Sequence, residues 1–206
     1  MKVLLVNGSP HKNGSTYAAL REVETSLNNE GIETSIVWLG TDAISGCLGC
    51  GYCSRNGKCA KNDIVNEFAQ RAKTADGFVF GTPVHYAGAS GAITSFLDRV
   101  FYSASGAMRQ KPAAVITVAR RGGTTAAYDQ LIKYPAIAEM PIISSNYWNM
   151  VHGAAPSDIA EDKEGVQCMR ILGRNMAYFL KCIDAGKKAG IEAPAPEKRD
   201  VTNFIR

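Results

Sequence analysis

Lys2-Val3-Leu4-Leu5-Val6-Asn7-Gly8-Ser9-Pro10-His11-Lys12-Asn13-Gly14-Ser15-Thr16 is the stretch on which the fold turns. An apolar run of strand length (KVLLVN) passes straight into a turn rich in glycine and hydroxyls. That turn opens a helical pattern over Ser15–Asn29, which stops before Gly31. Strand, polar loop and helix in that order begin a βαβ unit. The alternation continues outward. Residues 32–39 read as a second strand, and 63–74 as a helix with Ile64, Phe68 and Ala72 on one face and Asp63 as its cap. A third strand (77–81), a helix (89–103), a fourth strand (113–118), a helix (124–138), a fifth strand (140–144) and a long closing helix over Lys163–Lys188 follow. Five apolar strands alternating with five helices predict a doubly wound α/β domain, its parallel sheet covered on both faces.

Five strands favour the flavodoxin-like order 2-1-3-4-5 over the six-stranded dinucleotide fold. A chain of 206 residues without a composition shift is expected to form one domain over 1–188, with a cysteine-rich insertion at 40–62 and a Pro-rich tail at 189–206. Hydrophobic residues at 46% and charged residues at 20% supply a core and exclude a disordered chain. No apolar run reaches the roughly 18 residues a membrane span needs, and the first residues lack the apolar stretch and cleavage site of an export signal. The expectation is a cytoplasmic protein. The net charge of +4 is spread over scattered residues and pairs such as Arg120-Arg121, Lys187-Lys188 and Lys198-Arg199. That pattern argues against a nucleic-acid partner and suits small anions.

Ligands of such a sheet sit beyond the C-terminal ends of strands 1, 3 and 4. After strand 1, glycines let the backbone come close, hydroxyls donate, and the helix start offers unpaired N–H groups, which together suit a phosphate. The loop is not G-x-G-x-x-G. Nor is it the NTPase loop: the gap from Gly8 to Gly14 is one residue too long, and Ser15 stands where the lysine belongs. A single phosphate remains, the use to which flavodoxin-like folds put this loop with FMN; the plainer alternative is that Ser15 only caps the helix. The loop after strand 3, Thr82-Pro83-Val84-His85-Tyr86-Ala87-Gly88, has no acidic residue, and the next helix opens with the small residues Ala89, Gly91 and Ala92. Both features let a flat ring lie close. After strand 4, Ala119-Arg120-Arg121-Gly122-Gly123 combines flexible backbone with positive charge, which suits the pyrimidine end of a reduced flavin. Taken singly, the loops after strands 3 and 4 also read as ordinary connections. His85 is read as a hydrogen-bonding residue, since hydride transfer to a flavin needs no general base. No G-x-S-x-G supports a hydrolase.

Cys47, Cys50, Cys53 and Cys59 form C-x2-C-x2-C-x5-C. The first spacings match the ligands of bacterial ferredoxin clusters, whereas structural zinc separates its C-x2-C pairs more widely. A [4Fe–4S] cluster, a zinc ion and free or oxidised thiols all remain open, with the cluster favoured. Cys168 and Cys182, on the closing helix, read as packing residues.

Gly8-Ser9-Pro10, Gly14-Ser15-Thr16, the four-cysteine segment, Pro83-Val84, Phe96-Leu97-Asp98-Arg99 and Arg120-Arg121-Gly122-Gly123 together resemble the NADPH-dependent FMN reductase family, and within it the iron–sulfur flavoproteins. The resemblance covers roughly residues 1 to 180. It implies a flavodoxin-like fold, non-covalent FMN, NAD(P)H as transient donor, and a homodimer or homotetramer. It also implies that Ser9, His11, Asn13, Ser15 and Thr16 hold the FMN phosphate. Pro83, Val84, His85 and Tyr86 would lie against the isoalloxazine, with Ala119, Arg120, Gly122 and Gly123 near its pyrimidine edge. The acceptor would be a quinone, another small molecule or a partner protein. A non-enzymatic electron carrier, a zinc or thiol redox sensor and, more remotely, a hydrolase are the rival readings. Loop 146–162, with Tyr147 and Trp148, would cover the site or meet a second subunit.

Overall fold

Parallel pairing begins at the first residues. In the computed structural model, which describes residues 1–202 and Phe204, β1 (Lys2–Asn7) pairs with β2 (Glu33–Trp38) in the register Lys2 to Glu33 and with β3 (Gly77–His85) in the register Val3 to Gly77. Asn203, Ile205 and Arg206, part of the expected tail, lie outside the described residues. β3 pairs with β5 (Ala113–Ala119), and β5 with β6 (Met150–His152), all parallel, so the sheet runs β2-β1-β3-β5-β6. This is the expected order 2-1-3-4-5. The additional two-residue β4 (Gly88–Ala89) folds back antiparallel on the end of β3.

Leu4 and Val6 face one side of the sheet, Val3 and Leu5 the other, and all are fully buried. α1 (Ser15–Asn29) and α6 (Lys163–Lys188) cover the Val3–Leu5 face. α3 (Ile64–Thr74), α4 (Gly91–Met108) and α5 (Thr124–Ile137) cover the Leu4–Val6 face. That second face is aromatic: Phe68 lies edge-on to Phe96 at 5.1 Å, and Phe78 stacks on Phe80 at 6.2 Å. Each buried phenylalanine adds about 1.5–3 kcal/mol of apolar burial.

Several elements depart from the sequence reading. β3, read as 77–81, continues to His85 and takes in Thr82-Pro83-Val84-His85 from the expected loop, and the helix read as 89–103 is α4 over Gly91–Met108. Residues 140–144 pair with the sheet at a single bridge, Ile142 to Ala113, while Met140 and Ile143 pack into its two cores. The chain then bulges outward through the exposed Tyr147 and Trp148 before pairing again as β6, inside the expected loop 146–162. The fifth strand is therefore interrupted: the apolar run MPIIS starts it, and the three residues MVH complete it. A short helix, α2 (Tyr52–Asn56), also forms inside the cysteine segment. Among the described residues no helix is long and apolar enough to cross a membrane.

Candidate functional site

Asn7, at the end of β1, organises the first loop. Its side-chain oxygen accepts from the Ser9 amide at 3.1 Å, and its Nδ2 donates to the Lys12 carbonyl at 3.1 Å. The Ser9 hydroxyl accepts from the His11 amide, and the Ser9 carbonyl accepts from the Trp38 indole at 2.9 Å. Gly8 lies so close to its neighbours that a Cβ there would stand 2.8 Å from Ile93 Cβ and 2.9 Å from the Gly81 carbonyl. α4 is tied to the same loop, because the Ser90 hydroxyl donates to the Gly8 carbonyl at 2.9 Å while accepting from Ile93 N. A rigid loop thus delivers the start of α1. No side chain caps that helix, so its first-turn N–H groups are left without a side-chain partner, beside a cavity that Ser15 and Thr16 line.

The loop after β3 is a two-residue hairpin. Val84 pairs with Ala89 and His85 with Gly88, leaving Tyr86 (φ 48°) and Ala87 (φ 59°) at its tip. Positive φ at both central residues is the twist a two-residue hairpin requires. Tyr and Ala adopt it at a cost, of the order of 1–2 kcal/mol per residue. Tyr86 is fully exposed. Gly123 presses against this tip with φ 93°, and a Cβ on it would stand 2.5 Å from Ala87 Cα.

Ser9, His11, Ser15, Thr16, Pro83, Val84, His85, Ala119 and Arg120 all line one cavity of about 230 Å³, together with Val118, Gly153 and Ala154. Three loops that are far apart in sequence therefore meet. Asn13, Tyr86, Gly122 and Gly123 do not line it: Asn13, Tyr86 and Gly122 are exposed, and Gly123 packs behind the hairpin. Gly153 and Ala154 escaped the sequence reading because it took residues 140–144 as the whole fifth strand, whereas the strand resumes at Met150 and ends just before them. Gly153 N donates to the Ala119 carbonyl, and Ala154 N donates to Asp158, whose carboxyl is held below its ordinary pKa by the Ala155 and Ala154 amides. No carboxylate lines the cavity, while Arg120 and the two histidines do. The hydroxyls, free helix amides and positive character fit an anionic phosphate ester with a flat ring.

The four cysteines share a second cavity of about 330 Å³, bounded by Leu48, Lys61, Arg99, Tyr102 and Ser103. Cys47 and Cys50 are exposed, Cys53 and Cys59 half-buried. Among the described residues no three Cys, His, Asp or Glu side chains stand close enough together for one metal ion. Four thiols lining one cavity are a donor set that fits an iron–sulfur cluster. The two cavities share no lining residue.

Comparisons with known proteins agree with this geometry. A family model described as NADPH-dependent FMN reductase matches residues 1–155. An iron–sulfur flavoprotein of Methanocaldococcus jannaschii is 32% identical over 191 residues, covering 89% of this chain and 99% of its own. Among solved structures, RosB with a bound 8-demethyl-8-formylriboflavin-5'-phosphate intermediate superposes with a TM-score of 0.68 at 13% identity, covering 100% of this chain and 94% of its own. A flavodoxin from the domain Archaea gives 0.61 at 13% identity over 88% of this chain and 99% of its own.

Proposed function

Because the chain belongs to the NADPH-dependent FMN reductase family, and as a member is an FMN-binding flavoprotein, we propose that it is a cytoplasmic, homo-oligomeric oxidoreductase. In this reading it takes electrons from NAD(P)H and passes them to a small acceptor or a partner protein. The observation that carries the reading is the meeting of the loops after β1, β3 and β5 on one cavity at the point where the strand order reverses. FMN, when bound, supplies hydride acceptance and release of electrons singly or in pairs.

The residues divide the labour. Ser9, Ser15 and Thr16 and the first-turn amides of α1 hold the phosphate, with His11 and Asn13 at its rim. Pro83, Val84 and His85 flank the ring system, and Tyr86 stands at the hairpin tip, free to close over it. Ala119 and Arg120 face the pyrimidine edge, where the Arg120 guanidinium stabilises developing negative charge. Gly122 and Gly123 shape the turn that places them. Cys47, Cys50, Cys53 and Cys59 would hold a [4Fe–4S] cluster, which when bound supplies one-electron transfer.

Anaerobic purification followed by an absorbance spectrum, flavin extraction, and iron and sulfide analysis tests the reading directly. The expected result is one FMN and about four irons per chain, with flavin bleached by NADPH. A colourless chain that binds no FMN on titration overturns it. A chain that binds FMN but is reduced only by protein donors points to the carrier instead.

A further inference from the structure

Arg99, on α4, is the largest fully buried side chain among the described residues, at 2% exposure. A buried guanidinium is expensive unless all its N–H groups are met. Here the acceptors come from the cysteine-rich segment and from Asp63, the residue that follows it. Asp63 accepts from Nη1 at 2.6 Å and from Nη2 at 2.8 Å, a two-pronged pair. The Lys61 carbonyl accepts from Nη2 at 3.3 Å and the Ser45 carbonyl from Nη1 at 3.5 Å. The remaining donor, Nε, points at Cys59 Sγ at 3.3 Å, and Nη2 reaches the same sulfur at 3.4 Å.

Cys59 is pinned from its backbone as well. The Asn66 side chain accepts from the Cys59 amide at 3.0 Å and donates to the Cys59 carbonyl at 3.0 Å. Asp63, in turn, caps α3 by accepting from Val65 N at 3.1 Å. Cys59 is thus locked to two helices, whereas Cys47 and Cys50 sit exposed on a glycine-rich loop. A thiol sulfur accepts hydrogen bonds weakly. A metal-bound thiolate accepts them well, and N–H bonds to ligand sulfurs favour the reduced, more negative state of a cluster. Asp63 offsets the full charge of Arg99, so what reaches the sulfur is a pair of oriented N–H dipoles.

We propose that Arg99 is a positioning residue of the cysteine site. It presents Cys59 as a preformed ligand on which the other three cysteines close, and its two N–H bonds to the Cys59 sulfur raise the reduction potential of the bound cluster. The proposal rests on the reading of the four cysteines as cluster ligands, and the test separates the two.

The full chain, wild type and with Arg99→Lys or Arg99→Met, is reconstituted anaerobically with iron and sulfide. Iron, sulfide and FMN are counted, and the cluster's midpoint potential is measured by dye-mediated titration followed by electron paramagnetic resonance. The expected result is a lower potential in Arg99→Met, an intermediate one in Arg99→Lys, which keeps the charge but loses the fork, and slower iron uptake in both. FMN content, read at a separate cavity, stays at the wild-type value and reports that the fold survives. Should Arg99→Met fail to fold, Arg99→Lys carries the comparison alone. Variants that lose only thermal stability, with the wild-type potential at full iron, overturn the role of Arg99 and leave the cluster standing. A wild-type chain that takes up neither iron nor sulfide while binding FMN removes the cluster, and Arg99's role with it.

Discussion

Ser9 and Ser15 share a loop but carry different duties. The Ser9 hydroxyl accepts from the His11 amide and so builds the loop while keeping its own O–H for a ligand, whereas the Ser15 hydroxyl, on a helix that no side chain caps, serves a ligand alone. A hydrogen bond to a charged group contributes about 1.5–3 kcal/mol. Ser15→Ala is therefore expected to weaken FMN binding by roughly tenfold or more while leaving the urea midpoint within error, as flavin fluorescence titration and denaturation will show. Gly123 presents the opposite case. It holds a left-handed φ and has backbone 2.5 Å from where a Cβ would be. Gly123→Ala should cost about 2–4 kcal/mol and displace the hairpin against which it packs; a thermal midpoint equal to wild type would contradict this. Arg99 shows what single-residue reading misses. In the sequence it ends the Phe96-Leu97-Asp98-Arg99 stretch that helps carry the family resemblance, but nothing in helix periodicity says that its face of α4 meets the cysteine segment.

The elements with strong periodicity were legible to the residue. The limits expected for α1 and α6 are those observed, and Asp63 caps α3 as its position before Ile64 implied. Apart from α4, read five residues short at its end, the misses share a physical cause: short pieces defined by partners rather than by their own pattern. β6 has three residues, too few for an alternation to register, and its pairing with β5 is what makes it a strand. The β3–β4 hairpin has Tyr-Ala at its tip where turn chemistry calls for Asn-Gly. Ala87→Gly relieves one strained φ at the price of a more flexible unfolded chain, so a gain of a few tenths to about 1 kcal/mol is expected. A drop in thermal midpoint would show that the tip is held by contacts stronger than its strain.

Across the molecule, the cavity could be anticipated because strand order decides which loops meet, and the loops after β1, β3 and β5 do meet. Gly153 and Ala154 could not, since they depend on where an interrupted strand resumes. Whole-molecule stability carries a pH signature as well. Cys168 is buried beneath Ser145 and Asn146, and burial pushes its thiol pKa up. The folded state holds that proton more tightly than the unfolded chain, so the contribution is complete below the ordinary thiol range and is lost as pH rises past it. Urea midpoints measured from pH 7 to 10 should fall more steeply for wild type than for Cys168→Ala, and equal slopes would exclude Cys168 as the source. The interrupted outer strand has a last consequence. Since β6 borders the sheet and pairs over only three residues, that border offers no long row of unsatisfied amides and carbonyls for a stray polypeptide to zip onto. The outward detour through Tyr147 and Trp148 thus leaves folded copies little backbone on that side by which to join sheet to sheet.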